Sequence, residues 1–262
     1  MRRAIPLLIA LAAVTGLTAW FVIPEQGIPG VADTHGEWVT FTNAAGETIP
    51  AYVAWPERKD KAPTVIVIHQ IYGLTKWETT VVDKLAGQGY VAVAPDLLAS
   101  KYGKSPESAD SARKLFAGLT SERIMGDLDA TAAWVDTLPG AQRGTMATIG
   151  FCWGGQQSFA YATHNPKLKA AVVCYGPAPD SAAMARIQAP VLGVYAENDA
   201  RVSGPLPEVS AMMKALGKPF TYDIYPGTGH GFLTPGRKGN DTDQPALAWE
   251  RIFTFYKQNL GS

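Results

Sequence analysis

Residues 150–155 (GFCWGG) place a cysteine among small residues, between a predicted strand at 145–149 and a predicted helix at 153–163. This is the nucleophile-elbow pattern G-x-nucleophile-x-G, with cysteine where serine is usual. Small flanking residues let the strand and helix backbones approach each other. The N-terminus of the helix stabilises a thiolate and offers backbone N–H groups to an oxyanion. The pattern therefore predicts Cys152 as a nucleophile.

An acid and then a base should follow such a nucleophile along the chain. Asp199 comes soon after a predicted strand at 190–195, and Glu197 is a competing acid in the same loop. His230 follows the last predicted strand, 220–225, and has a glycine on either side. We expect Asp199 to hold one nitrogen of His230 while the other nitrogen faces the thiol.

The chain has three other histidines, for which the sequence favours structural roles. His69 ends a predicted strand, and we expect it to pack beside the site rather than act in it. His164 lies at a predicted helix end, where a cap or surface role is expected, and His35 lies in the leading segment.

The elements that must position these residues alternate between short apolar runs and helical patterns. The predicted strands are 37–42, 49–55, 64–69, 90–94, 145–149, 168–175, 190–195 and 220–225. The predicted helices are 76–88, one or two within 105–138, then 153–163, 205–216 and 244–259. The first two strands are expected to form a hairpin. The β-branched runs indicate strands buried on both faces, so the pattern predicts an α/β fold with a mostly parallel sheet covered by helices.

Composition limits the classes of protein that fit. The chain has 262 residues, of which 47% are apolar and 18% charged, as in a globular protein with a substantial core. Lys and Arg total 23, as do Asp and Glu, so the chain lacks the basic footprint of a nucleic-acid binder. Its two cysteines exclude a disulfide scaffold and a four-cysteine zinc site.

The N-terminus has the pattern of a targeting segment. Arg2 and Arg3 precede an apolar run at 4–23. A basic head followed by an apolar run predicts a signal peptide at 1–23. An uncleaved membrane anchor is the alternative, because 20 residues at about 1.5 Å each cross a bilayer of about 30 Å. With either a signal peptide or an anchor, the chain after residue 23 is expected to be exported to the periplasm or another extracytoplasmic compartment. This part is expected to consist of a linker at 24–35 and one domain at 36–262. A buried N-terminal helix is the structural alternative.

Together these motifs resemble the dienelactone hydrolases, a cysteine-nucleophile branch of the α/β-hydrolase fold. The resemblance rests on the cysteine elbow, Asp199, the segment 229–232 (GHGF) and the segment 248–251 (AWER), and it covers about 36–260. It implies a Cys-His-Asp triad that hydrolyses small esters or lactones through an acyl-enzyme, with no metal or organic cofactor. It also implies the backbone N–H groups of Ile71 and Trp153 as oxyanion donors.

One departure from the family concerns the thiol. The family has a glutamate after the first central strand, and the matching residue here is Gln70. A neutral amide cannot take a proton, so activation of the thiol must rest on His230 and the N-terminus of the helix.

A second departure concerns the substrate. Two family arginines that grip the substrate carboxylate match Ser100 and Thr234 here, with Lys101 and Arg237 near them. A bidentate arginine–carboxylate pair is a strong orienting contact. Its loss favours a neutral ester or lactone at least as much as an anionic dienelactone.

The remaining expectations concern the pocket and the alternatives. The predicted substrate pocket consists of Gln70, Tyr72, Ser100, Lys101 and Phe232, with core packing as the alternative for Phe232. A catalytically degenerate hydrolase that binds a ligand or partner is one competing function. A redox pair of Cys152 and Cys174 is another, against Cys174 as a small buried apolar residue. Oligomeric state stays open.

Overall fold

A computed structural model describes residues 34–103, 106 and 108–261 of the chain. The predicted signal peptide or anchor at 1–23 lies outside the described residues, as does the linker up to residue 33. The first strand begins at Thr34, so the last two residues of the predicted linker belong to it.

The described chain alternates strands and helices as the sequence predicts. The strands are β1 (Thr34–Thr42), β2 (Thr48–Pro56), β3 (Ala62–Ile68), β4 (Val91–Pro95), β5 (Ala141–Phe151), β6 (Ala170–Cys174), β7 (Val191–Asn198) and β8 (Phe220–Gly229). The helices are α1 (Lys76–Ala86), α2 (Ala99–Tyr102), α3 (Ala109–Phe116), α4 (Ser121–Val135), α5 (Trp153–His164), α6 (Ser181–Met184), α7 (Ala200–Ser203), α8 (Leu206–Ala215) and α9 (Gln244–Leu260).

The strands form one sheet in the order β1-β2-β4-β3-β5-β6-β7-β8. β1 and β2 pair antiparallel, as do β2 and β4, and all other neighbours pair parallel. The predicted hairpin closes through Asn43, whose carbonyl accepts from Gly46 N–H at 2.9 Å and whose side chain accepts from Glu47 N–H. Gly46 has φ 77°, which favours glycine. The predicted α/β class with a mostly parallel sheet is confirmed.

Both faces of the sheet are covered, which explains the continuous apolar strands. Every residue of β3 is buried: Val65 and Val67 face a core shared with α1 and α9, while Ile66 and Ile68 face a core shared with α4, α5 and α8. Strand geometry alternates side chains between faces, so a strand covered on both sides has no solvent-facing positions, and Thr64 is the one polar residue of β3.

Three short helices, α2, α6 and α7, have no counterpart in the sequence prediction, because four residues are too few to show a helical period. β8 continues past the predicted end at 225, through Pro226 to Gly229. Since β8 is the last strand of the sheet, a proline there removes no ladder bond that the sheet needs. No helix within the described ranges is both long and apolar enough to cross a membrane.

Candidate active site

Parallel pairing brings the carboxyl ends of β3, β5, β7 and β8 to one edge of the sheet. Each predicted triad residue follows one of these strands: Cys152 follows β5, Asp199 follows β7, and His230 follows β8. Residues far apart in sequence therefore meet at this edge.

The turn at Cys152 has the strained geometry of an elbow. Cys152 has φ 57° and ψ −113°, caps α5, and donates its N–H to the Cys174 carbonyl at 3.0 Å. The flanking glycines are required by close backbone approach. A Cβ on Gly150 would lie 1.9 Å from the Gly154 carbonyl oxygen, and one on Gly155 would lie 2.5 Å from the Cys174 carbonyl oxygen. The thiol is thereby held at the start of the helix, partly exposed.

The structure brings the three predicted triad side chains into one hydrogen-bonded chain. His230 Nε2 lies 3.0 Å from Cys152 Sγ, and His230 Nδ1 lies 2.5 Å from Asp199 Oδ2. The Asp199 side chain is 8% exposed and that of His230 is 33% exposed. Glu197, the competing acid, is exposed and accepts from Gly227 N–H at 2.9 Å. The acid that meets the histidine is thus Asp199.

These contacts shift the titration of the histidine. The pKa of His230 is raised above its ordinary value, foremost by the hydrogen bond to Cys152 and also by the bond to Asp199, while burial opposes the shift. A proton on His230 between sulfur and carboxylate is therefore favoured. An imidazole in this position can move a proton to or from a substrate that reacts with the sulfur.

The two predicted oxyanion donors are backbone N–H groups. One is next to the thiol in sequence, and the other lies in a loop across the edge of the site. Trp153 is the first residue of α5, and Ile71 lies in the loop that follows β3. Neither N–H donates a hydrogen bond within the described ranges of the chain, so both are available to an acceptor. The Trp153 indole stacks on the His69 ring, with 5.6 Å between centroids.

Two predicted pocket residues link the loop after β3 to the loop after β8. Gln70 is buried and donates from Nε2 to Thr234 Oγ1 at 3.2 Å. Tyr72 is partly exposed, and its hydroxyl accepts from the Arg237 guanidinium at 3.1 Å. Arg237 therefore lies over the loop that carries Ile71.

The other three predicted pocket residues make their hydrogen bonds or ring contacts with groups other than the thiol. Ser100 is buried and donates to Asp127 Oδ2 at 2.6 Å, on α4. Lys101 donates to the carbonyl of Gly118. Phe232 is fully buried and packs on tyrosines of the core, which matches the alternative for that residue. None of the three forms a hydrogen bond or ring contact with Cys152 or His230.

The other histidines have the structural roles that the sequence favours. His69 is fully buried, accepts from Leu97 N–H at Nε2, and lies 2.8 Å from the Gln70 carbonyl oxygen at Nδ1. His164 contacts Asp129 at the surface, and His35 stacks on a tryptophan of β2.

Sequence reasoning missed two buried residues next to the site. Glu78 is fully buried and accepts from the backbone of the loop after β3. Its signal was the T-x-x-E pattern of a capping box with Thr75. Tyr175 has φ 42°, and its ring meets the His230 ring edge-on at 5.2 Å. Its buried hydroxyl lies near the Thr234 side chain but forms no well-aligned hydrogen bond among the described residues, and burial raises its pKa well above the usual value.

Cys174 is a fully buried free thiol in the same apolar core as Val172, and burial raises its pKa well above the usual value. Cys152 is also a free thiol, and its sulfur faces His230. Over the described residues there is no group of three or more His, Cys, Asp or Glu side chains that could hold a metal ion.

Comparison with known proteins identifies the family. The family model described as the dienelactone hydrolase family matches residues 49–260. The chain belongs to the dienelactone hydrolase family. This confirms the predicted family and the predicted enzyme class, a hydrolase of carboxylic esters or lactones.

Relatives and solved structures agree with this assignment. A Salmonella typhi protein provisionally named carboxymethylenebutenolidase is 32% identical over 241 residues, covering 85% of this chain and 87% of the relative. A provisionally named dienelactone hydrolase from Klebsiella pneumoniae is 27% identical with TM-score 0.77, over 86% of this chain and 99% of that one. A structure from a study of Rhizomucor miehei esterases shares the fold, with 14% identity and TM-score 0.70 over 88% and 85%.

Proposed function

We propose that this hydrolase cleaves small esters or lactones by covalent catalysis at Cys152, with His230 as acid and base and Asp199 as its orienting partner. The observation that carries the proposal is the continuous hydrogen-bonded chain from Sγ through the imidazole to the buried carboxylate. This is the geometry that nucleophilic catalysis by a thiol requires.

In the first half of the reaction, the Cys152 thiolate attacks the carbonyl carbon of the substrate. The backbone N–H groups of Ile71 and Trp153 stabilise the resulting oxyanion. The C–O bond to the leaving group then breaks, and His230 donates its Nε2 proton to the departing alkoxide. The product of this half is a thioester on Cys152.

In the second half, His230 takes a proton from water, and the hydroxide attacks the thioester carbonyl. The C–S bond breaks, the acid leaves, and the thiolate and protonated imidazole are restored. Asp199 keeps the imidazole in the tautomer and orientation that both halves need.

Turnover of a substrate panel tests this proposal. Small neutral esters, lactones and an anionic dienelactone should be assayed with the wild-type protein and with Cys152→Ala. The Cys174→Ala variant removes the other thiol, which is fully buried in the apolar core, and keeps the backbone carbonyl that accepts from Cys152 N–H, so it is the matched control. Loss of turnover in Cys152→Ala alone supports the proposal, whereas retained turnover in Cys152→Ala overturns it. A wild-type protein that is alkylated at Cys152 but turns over nothing indicates a binding protein instead.

The acid is tested by a second matched pair. Asp199→Asn should lower kcat by about 10²- to 10⁴-fold, because the amide presents the wrong partner to His230 Nδ1. Glu197→Gln changes the neighbouring exposed acid and should leave kcat within about threefold. Equal losses in the two variants would contradict the assignment of Asp199.

Export of the protein is also a proposal, which rests on the apolar run at 4–23 behind two arginines. Cell fractionation with N-terminal mass analysis separates the forms: a soluble periplasmic protein lacking residues 1–23 indicates cleavage, and an intact membrane-bound protein indicates an anchor. Recovery in the cytoplasm would contradict export.

A further inference from the structure

Glu78 is a fully buried glutamate for which the proposed mechanism has no role. Its side chain lies at the start of α1. Among the described residues, no lysine, arginine or histidine forms an ion pair with it. A buried carboxylate without a cation needs hydrogen bonds to offset the loss of water. The location of those bonds indicates what the residue does.

The two carboxylate oxygens of Glu78 contact different segments. Oε2 accepts from Thr75 N–H at 2.9 Å and from the Thr75 hydroxyl, which forms the capping box of α1. Oε1 accepts from Gln70 N–H at 3.3 Å. A capping box uses only the first of these contacts. The second contact reaches eight residues back, into the loop that follows β3.

His69 holds the backbone carbonyl of Gln70, the residue whose N–H is bound by Glu78. Leu97 N–H donates to His69 Nε2 at 3.2 Å, so the proton of the neutral ring lies on Nδ1. Nδ1 then donates to the Gln70 carbonyl oxygen at 2.8 Å. The ring of His69 is fully buried and stacks on Trp153, which keeps it in place.

Because the backbone N–H and the backbone carbonyl of Gln70 are both held, the direction of the Ile71 N–H is fixed. The Gln70 carbonyl and the Ile71 N–H belong to one planar trans peptide and point in opposite directions. The Gln70 carbonyl accepts from His69 and, at 3.2 Å, from Gly73 N–H, while the Gln70 N–H is bound to Glu78. This peptide cannot rotate without breaking a buried hydrogen bond.

We infer that Glu78, together with His69, is a positioning residue that sets the direction of the Ile71 N–H toward the oxyanion. The inference rests on the proposed function, which assigns Ile71 as an oxyanion donor. Neither side chain need touch the substrate, because both act through the backbone of Gln70.

The test separates acylation from the reactivity of the thiol. Acylation by p-nitrophenyl acetate, followed in single turnover, passes through an oxyanion, whereas alkylation by iodoacetamide needs the thiolate but no oxyanion donor. Glu78→Gln should slow acylation about 10- to 100-fold, with KM and the alkylation rate unchanged. Removal of a whole oxyanion donor costs about 10²- to 10³-fold, and a loosened donor costs less.

The matched control is Thr75→Ala. This variant breaks the capping box but leaves the bond between Glu78 and Gln70, so it should lower the melting temperature without slowing acylation by more than about threefold. If Glu78→Gln and Thr75→Ala slow acylation equally, Glu78 is only a cap and the inference fails. If alkylation slows in parallel with acylation, Glu78 acts through the thiol and the inference fails.

His69 supplies a second test if Glu78→Gln does not fold. His69→Leu should slow acylation but not alkylation, and His69→Asn, whose amide N–H replaces that of Nδ1, should recover part of the rate. Equal acylation by wild type and His69→Leu overturns the inference. A wild-type protein that is not acylated at Cys152 overturns the proposed function instead, so the two failures are distinguishable.

Discussion

Gly154 in α5 lies against the Ile68 carbonyl oxygen at the end of β3, where a Cβ on Gly154 would be only 2.2 Å from that oxygen. Backbone of the elbow helix thus contacts the strand that leads into the Gln70–Ile71 loop. This contact sets the first turn of α5, which begins at Trp153, against the end of β3, three residues before Ile71.

Gly154→Ala is therefore expected to destabilise the protein by about 3 kcal/mol or more, because neither backbone can yield without moving the elbow. Gly126→Ala is the matched control, since Gly126 is exposed in α4 and a Cβ there meets nothing within 4 Å. That change should stabilise the protein by about 0.5–1 kcal/mol. Urea unfolding measures both, and a Gly154→Ala protein as stable as wild type would contradict the packing described.

The pKa of His230 should depend on both of its partners, and most on Cys152. NMR titration should place the wild-type pKa above the ordinary value of about 6.5. Cys152→Ala should lower it most and Asp199→Asn should lower it less, since the bond to sulfur is the larger cause. A larger fall in Asp199→Asn would contradict this order.

The raised pKa of His230 also predicts how stability varies with pH. A pKa that is higher in the folded state adds stability that is fully present below the unfolded value, near 6.5, and is lost as pH rises through the folded value. The free energy of unfolding of wild type relative to His230→Gln should therefore be greatest in mild acid. A difference that does not change across this range would argue against a raised pKa.

Arg237, rather than Lys101, is expected to select anionic substrates. The Arg237 guanidinium lies at the site edge on the Tyr72 hydroxyl, whereas the Lys101 ammonium is bound to the Gly118 carbonyl. Arg237→Gln should lower the kcat/KM ratio of an anionic to a matched neutral ester about threefold to fivefold, as expected for an exposed charge. Lys101→Gln should leave this ratio unchanged. A ratio that falls in Lys101→Gln but not in Arg237→Gln would exclude Arg237 as the residue that selects anionic substrates.

Tyr175→Phe should leave stability unchanged or raise it by about 1 kcal/mol. The Tyr175 hydroxyl is buried near the Thr234 side chain without a well-aligned hydrogen bond within the described ranges, so its removal deletes a poorly satisfied group. Tyr195→Phe is the control, because the equally buried Tyr195 hydroxyl donates to the Gly176 carbonyl at 3.1 Å. That variant should lose about 0.5–1.5 kcal/mol. Equal losses in both would show that the Tyr175 hydroxyl is satisfied.

The sequence predicted the features that depend on local pattern. β3 was recognisable because burial on both faces leaves a nearly continuous run of apolar residues, and the elbow because the close approach of backbones at Gly154 and Gly155 allows only glycine. Asp199 and His230 were recognisable because each follows a strand in the expected order.

The pocket was less predictable, because it depends on where side chains turn after the strands end. Ser100 matches a pocket position in sequence, yet its hydroxyl binds Asp127, a residue of α4 distant in sequence. Glu78 carried a visible capping signal, but its contact with Gln70 depends on how the loop after β3 folds back onto α1. Such contacts have no periodicity, and only the tertiary structure reveals them.

The most direct measurement of the central claim is the mass of the protein during turnover of a slowly hydrolysed p-nitrophenyl ester. We predict that wild type gains the mass of one acyl group, located on the peptide that contains Cys152 and released by hydroxylamine. Asp199→Asn should slow the hydrolysis of this acyl group by water, while Cys152→Ala should gain no mass. Turnover by the wild-type protein without any acylated peptide, or an acyl group on another residue, would contradict covalent catalysis at Cys152.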